Sequence, residues 1–197
     1  MPICRLKRAA MFWAFLLGAW LACPGRTEAS RSALLPDYMR LQYAGQAGLF
    51  SIGPGYSWWH RRVESGLSYG YVPAFIGDRN IQILSQRNSL SLARFHVQGM
   101  VLEPAMVGMA THVSVGDKYQ VLLPKSQQDY YWPDGLFFWF FSGAKVGYMF
   151  RKPTPIAGMA AQIEVGTINQ YFKAYTTNQS VTLDDILSLA ISTQFYL

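Results

Sequence analysis

The stretch Ala105-Met-Val-Gly-Met-Ala-Thr-His-Val-Ser-Val-Gly116 alternates between two kinds of residue with a period of two. Its odd positions are apolar or β-branched: Ala105, Val107, Met109, Thr111, Val113 and Val115. Its even positions are more often small or polar: Met106, Gly108, Ala110, His112, Ser114 and Gly116. Successive side chains point to opposite faces of a β-strand, whereas a helix repeats every 3.6 residues. The stretch therefore predicts a strand with one apolar face.

Other parts of the chain alternate in the same way, most clearly residues 62–71, 159–167 and 185–197. With their flanks, the alternating segments give eight predicted strands, at residues 38–45, 48–59, 62–73, 80–94, 104–116, 136–151, 157–168 and 184–197. Eight is an allowed even number for a small membrane barrel. The predicted fold is all-β, an eight-stranded antiparallel transmembrane β-barrel with meander connections.

The character of the less apolar face separates a membrane barrel from a soluble one. A face that meets water should be rich in Lys, Glu, Asp and Thr, but here it consists mainly of Gly, Ala, Ser and Gln with single charges. Such a face suits the crowded interior of a narrow barrel whose apolar face meets lipid. Charged residues make up only 14% of the chain and aromatic residues 15%, whereas soluble domains carry about 25% charge. The composition also excludes a disordered chain.

Three details of the barrel are less regular. Segment 38–45 is predicted either as the first strand or as a plug or bent extension of the second. The parity of the apolar residues changes within segment 80–94, which predicts a β-bulge near Ser85–Asn88. Residues 95–103 are predicted as a turn that is long for its side of the barrel.

The first 29 residues have the form of a secretory signal peptide. A basic start is followed by an apolar run over residues 11–22 and a small residue at Ala29, after which we expect cleavage; the second choice is after Ala22. Two alternatives are an uncleaved anchor and a lipoprotein acylated at Cys23. The predicted domains are thus the signal peptide, residues 1–29, and the barrel, residues 30–197.

Removing the presequence changes the charge of the chain. The formal net charge of +6 falls to about +3, because four of the cations but only one of the anions lie in residues 1–29. Both cysteines also leave. No stripe of Lys and Arg predicts nucleic-acid binding. Nothing in the mature chain predicts a cofactor, and the surroundings of His60 and His96 offer no metal-ligand spacing.

Loop lengths predict a direction for the strands. If the C-terminus lies in the periplasm, the turns at 58–62 and 152–157 are periplasmic. Residues 74–79, 117–135 and 169–183 then become the outer loops. Aromatic residues cluster at the predicted strand ends, as in the interfacial girdles of membrane barrels. They include Trp58, Trp59, Tyr130, Tyr131 and Trp132, the run Phe137 to Phe141, and Tyr171 and Phe172.

The last segment, residues 185–197, resembles the C-terminal signal of bacterial outer-membrane proteins. That signal is an amphipathic strand with apolar positions spaced by two, here Leu189, Ile191, Phe195 and Leu197. The resemblance implies recognition by the barrel assembly machinery, although the last residue is Leu197 instead of an aromatic one. Residues 43–56 and 69–73 are also similar to small, uncharacterised Gram-negative outer-membrane barrel proteins of the eight-stranded type.

One pair of residues invites an enzymatic hypothesis. His112 and Ser114 lie two apart on one strand, so their side chains point the same way about 7 Å apart. The pair resembles the histidine and serine of outer-membrane lipid A deacylases. In such an enzyme, Ser114 would be the nucleophile, His112 the base and Glu164 the orienting acid. Alternation places the pair inside the barrel, however, away from the acyl chains of the membrane.

Charged residues on the inward positions form a second constellation: Arg62, Glu64, Lys145 and Glu164. A charge inside a narrow barrel must be paired or hydrated. We therefore predict a network of salt bridges that fills the lumen. A proton or ion path is the alternative.

The sequence as a whole predicts a bacterial outer-membrane barrel with a filled lumen and a structural or surface-interaction role. Its partners would be outer-membrane lipid or lipopolysaccharide and, during biogenesis, the assembly machinery. Two alternatives stay open at this stage. One is a lipid A acyl hydrolase using His112 and Ser114, and the other is a secreted soluble β-barrel that binds an apolar ligand in its interior.

Overall fold

The chain folds into a closed barrel of eight antiparallel strands, each hydrogen-bonded to its neighbours in sequence. The computed structural model describes residues 35–77, 80–115, 135–150, 155–177 and 182–197. The strands are β1 Tyr38–Ala44, β2 Phe50–Trp58, β3 Val63–Val72, β4 Ile81–Val97, β5 Met100–Val115, β6 Leu136–Met149, β7 Gly158–Ile168 and β8 Ser188–Tyr196. The predicted all-β meander of eight strands is confirmed. The predicted signal peptide lies outside the described residues.

The first segment is a true strand of the barrel. β1 pairs with β2 on one side and with β8 on the other, so that Tyr38 stands opposite both Gly55 and Tyr196. Leu197 also donates its backbone N–H to the carbonyl of Asp37. The alternative of a plug is therefore wrong, because the barrel closes through this strand and leaves no free sheet edge.

Alternation in the sequence becomes inside and outside in the barrel. In β7, the inward positions Gln162 and Glu164 are buried while Met159, Ile163 and Val165 are exposed. In β5, the even positions Met106, Ala110, His112 and Ser114 are likewise buried and line the lumen. The side chains that face outward are mostly apolar and those that face inward are mostly polar, which is the reverse of a soluble barrel.

The predicted long turn at residues 95–103 is wrong. β4 continues to Val97 and β5 begins at Met100, so only Gln98 and Gly99 connect them. Both have positive φ, +49° and +86°. Two such residues match the twist of the flanking strands and make a tight hairpin. The sequence signal for this hairpin is weak because Gln98 replaces the usual Asn or Asp before the glycine.

The predicted bulge near Ser85–Asn88 is also wrong in position. The register of β4 against β5 shifts between Ser91 and Phe95. That of β5 against β6 shifts between Glu103 and Met106, around Pro104. The bulge was misplaced because Ile83 was taken to face outward with the other apolar residues, whereas its side chain points into the lumen and is buried.

The two ends of the barrel differ. In the described part of the chain, three short helices lie between strands at one end, which we call the helical end: α1 Ala74–Gly77, α2 Asn169–Thr177 and α3 Leu183–Ile186. Tyr38, the first residue of β1, and Tyr196, the last residue of β8, lie at the other end, which we call the terminal end. Within the described residues, no helix is long and apolar enough to span a membrane.

Candidate functional site

The lumen of the barrel holds the densest group of polar side chains in the described part of the chain. Every strand contributes residues through its inward positions, and the buried charged residues are Arg40, Glu64, Arg87, Glu103, Lys145 and Glu164. Ionised groups in a low-dielectric interior must be paired and hydrogen-bonded. Their pairing decides what the lumen can do.

The first group, the Lys145 cluster, lies toward the terminal end and consists of Glu64, Arg94, Glu103 and Lys145. Lys145 forms ion pairs with Glu64 and, at 3.1 Å, with Glu103. Arg94 approaches the other oxygen of Glu103 at 3.5 Å. Its guanidinium also donates to the backbone carbonyl of His60 at 2.8 Å. Two carboxylates and two cations therefore neutralise one another in this cluster.

The second group, the Glu164 cluster, consists of Arg40, Arg87 and Glu164. Arg87 binds the carboxylate of Glu164 with both terminal nitrogens, one of them at 2.8 Å. Arg40 donates to the same carboxylate at 2.9 Å. Such forked contacts fix the geometry as well as the charge. A single carboxylate here serves two guanidinium groups.

Two glutamines connect the clusters. Gln162 accepts from Arg40 at 3.2 Å and donates to Glu164. Gln194 donates to Gln162 at 3.4 Å and to Glu64 at 3.0 Å. The result is one continuous hydrogen-bonded network along the lumen, which fixes these side chains and fills the space of a narrow eight-stranded barrel.

Aromatic side chains of β6 fill the lumen nearer the helical end. Trp139 and Phe141 are buried and stack on each other with ring centroids 4.7 Å apart. The guanidinium of Arg87 lies 3.9 Å from the centroid of Phe141, a cation–π contact. Phe137 stacks on His112. The expectation that the run Phe137 to Phe141 belongs to an interfacial girdle is therefore wrong for its odd members, which point inward.

His112 and Ser114 both face the lumen, and His112 is 1% exposed. The partner of His112 is Ser85, whose hydroxyl lies 2.7 Å from Nδ1. The structure does not bring Glu164 to the imidazole, because that carboxylate is held by Arg40 and Arg87. His112 and Ser114 thus share the lumen face of β5, but the three residues of the enzymatic hypothesis are not arranged as nucleophile, base and acid.

Arg62 is the one predicted lumen residue that lies elsewhere. It belongs to the turn before β3 and its side chain is exposed. The predicted strand 62–73 begins one residue before β3, and Arg62 was therefore assigned to the lumen. Four other charged residues of the lumen clusters were not predicted: Arg40, Arg87, Arg94 and Glu103. Tyr38, Arg40 and Gln42 occupy every second position. Once residues 38–44 are accepted as strand β1, the alternation therefore places Arg40 in the lumen.

The predicted aromatic and assembly residues are placed as follows. Trp58 is half-buried at the end of β2 and Trp59 is exposed in the following turn. Tyr131 and Trp132 lie outside the described residues. In β8, Leu189 and Ile191 are exposed on the outer wall and Phe195 is half-buried on the same face, while Leu197 follows the strand.

A small cavity remains within the lumen. Its volume is about 20 Å³. Residues of six strands line it, among them Arg40, Arg87, His112 and Trp139. The space suffices for about one water-sized occupant. An apolar ligand of the size that lipocalin-like proteins bind does not fit.

Neither a metal site nor a similar protein indicates what the lumen does. Among the described residues, no group of three or more His, Cys, Asp or Glu side chains could hold a metal ion. Comparison with protein-family models, with curated proteins and with solved structures found no match to this chain. The geometry of the barrel therefore carries the functional argument.

Proposed function

We propose that this protein is a bacterial outer-membrane β-barrel with a filled lumen, whose role is structural or is exerted through surface contacts at the helical end. The observation that carries the proposal is the inverted polarity of the barrel. Its buried interior contains Glu, Arg, Lys and Gln, and its exposed wall contains Leu, Ile, Val, Phe and Tyr. A barrel in lipid requires this arrangement, because its outer wall meets hydrocarbon.

The exposed wall is extensively apolar. At mid-height, the cross-strand neighbours Ile163 and Ile191 are 48% and 49% exposed. Other exposed aliphatic residues of the strands include Leu41, Ile52, Leu67, Leu84, Val107, Val146, Val165 and Leu189. Soluble monomers rarely expose an apolar surface of this extent. Two polar residues of the wall, Ser65 and Asn88, hydrogen-bond to each other at 2.5 Å.

Exposed aromatic residues occur near both ends of the barrel. Toward the helical end they are Tyr43, Phe50, Tyr69 and Tyr71, and toward the terminal end Trp59, Phe95, Tyr148 and Phe150. Aliphatic residues lie between these two sets. Rings at both boundaries of an apolar band are typical of proteins whose aromatic girdles mark the membrane interfaces.

The filled lumen favours a role outside the barrel. Ion pairs and glutamine contacts occupy its length, and eight strands leave little space for a channel. The helical end presents further apolar side chains, including Phe75 of α1 and Tyr171 and Phe172 of α2. We assign the helical end to the outer face of the membrane. There its partners would be lipopolysaccharide or surface ligands, and β8 would engage the assembly machinery during biogenesis.

Gel mobility and detergent dependence test the proposal together. We expect the protein to fractionate with outer membranes, to need detergent for extraction, and to migrate faster unheated than after boiling, because a closed barrel resists dodecyl sulfate. The matched comparison is the same sample boiled before loading. Protein that stays soluble and monomeric without detergent would show that the wall does not meet lipid.

A further inference from the structure

The buried charges of the lumen do not balance locally. In the Lys145 cluster, two carboxylates face two cations. In the Glu164 cluster, two guanidinium groups share one carboxylate. Arg is not deprotonated in proteins, so this second cluster carries one positive charge in excess among the described residues. A buried excess charge is costly unless a counter-charge accompanies it.

The small lumen cavity adjoins the excess charge. Arg40 and Arg87 both line it, whereas no Asp or Glu does so among the described residues. Arg40 is 6% exposed, and the Nε atom of its guanidinium has no hydrogen-bond partner. A water molecule placed there would satisfy hydrogen bonds but would leave the charge uncompensated.

A second lining residue, His112, carries an unpartnered nitrogen atom at Nε2. The Ser85 hydroxyl has no other acceptor among the described residues, so we assign it as the donor to Nδ1 of His112. The imidazole proton then resides on Nε2. The cavity is thus lined by two side chains with spare N–H donors, Arg40 and His112, and a ligand that only accepts hydrogen bonds suits them.

We propose that this cavity binds one small monovalent anion of the size of chloride, which neutralises the Glu164 cluster and accepts from Arg40 and His112. The volume of about 20 Å³ suits a single small occupant, as an ion of the size of chloride is. The site lies inside the barrel and is independent of whatever the helical end contacts.

Bromide substitution locates the ion directly. The folded full-length mature protein in detergent is crystallised from chloride-free gluconate buffer, and crystals are soaked in sodium bromide. We expect an anomalous peak in the cavity between Arg40 and His112. Ordinary water density there, without an anomalous signal in saturating bromide, would overturn the proposal.

Unfolding in urea gives an independent readout in solution. The wild-type midpoint should rise as chloride replaces gluconate. In Arg40→Gln, which removes the excess charge, the apparent chloride affinity should fall at least about tenfold. Arg94→Gln is the matched control, because it removes a lumen cation of the Lys145 cluster and should retain the chloride response. An equal chloride response in wild type and Arg40→Gln contradicts the assignment, and if Arg40→Gln does not fold, the bromide experiment on the wild type decides.

Discussion

Lys145 is the cation on which two buried carboxylates depend. Replacing it by Met leaves Glu64 without an ionic partner and Glu103 with Arg94 alone. Removing one member of a buried ion pair lowers the free energy of unfolding by about 3–5 kcal/mol, because an uncompensated charge remains. Equilibrium unfolding in urea, with the protein in lipid vesicles, measures the change for Lys145→Met.

A double variant distinguishes loss of the pair from loss of packing. Adding Glu64→Gln to Lys145→Met removes the stranded carboxylate, so part of the stability should return. If the double variant is less stable than Lys145→Met, the ion pair is not the source of the effect.

Gly55 is packed directly beneath the ring of Tyr38. A Cβ atom at this position would lie 2.1 Å from the ring carbon Cζ. Gly55→Ala should therefore lower the free energy of unfolding by about 1–3 kcal/mol through overpacking. Gly147→Ala is the control, since its nearest neighbour would be the Ala160 Cβ at 3.2 Å. Equal effects of the two substitutions in the same unfolding assay would contradict the packing argument.

At the scale of single residues, the alternation of the sequence predicted that Glu64, Lys145 and Glu164 face inward, but it did not predict which residues they pair with. Which cation meets which carboxylate depends on the stagger between distant strands. Arg40 and Glu164, for instance, are 124 residues apart in the chain. Arg62 shows the limit of the method, since an error of one residue at a strand end moves a side chain from lumen to solvent.

The turn between β2 and β3 is strained at three consecutive residues. Trp59, His60 and Arg61 have φ of +50°, +56° and +62°, a region that favours glycine. His60→Gly should raise the free energy of unfolding by up to about 1 kcal/mol, because the left-handed penalty outweighs the flexibility of glycine in the unfolded chain. The contact of Arg94 with this turn is kept, because it uses the backbone carbonyl of His60.

The control for this turn is a glycine in a regular strand. Ser68→Gly in β3 should lower the free energy of unfolding by about 0.5–1 kcal/mol. Thermal or urea unfolding of the two variants side by side tests the argument. A His60→Gly variant that loses as much stability as Ser68→Gly would show that the turn is not strained.

Strands could be predicted from the sequence to within a few residues, because an alternating pattern is local. Their connections were harder to predict. Gln98-Gly99 makes a two-residue hairpin without the usual Asn or Asp, and β5 begins at Met100, ahead of Pro104, which lies at a bulge. A bulge depends on the neighbouring strand, so its position cannot be derived from the strand that carries it.

At the scale of the whole molecule, the part that could be predicted from the sequence is the part that the strands form. The alternating strands determine closure, meander order and the polar lumen. The segments 1–34 and 116–134, which include the predicted signal peptide and most of one predicted outer loop, lie outside the described residues.

Arginine substitutions at two different heights along the barrel test most directly whether it spans a membrane. Ile163 lies at mid-height on the outer wall and is 48% exposed, whereas Ile76 in α1 is 55% exposed at the helical end. In lipid vesicles, Ile163→Arg should lower the free energy of unfolding by about 2–4 kcal/mol and Ile76→Arg by no more than about 1 kcal/mol. If both variants instead unfold within about 0.5 kcal/mol of the wild type, as substitutions at a water-exposed surface do, the outer wall does not face a membrane.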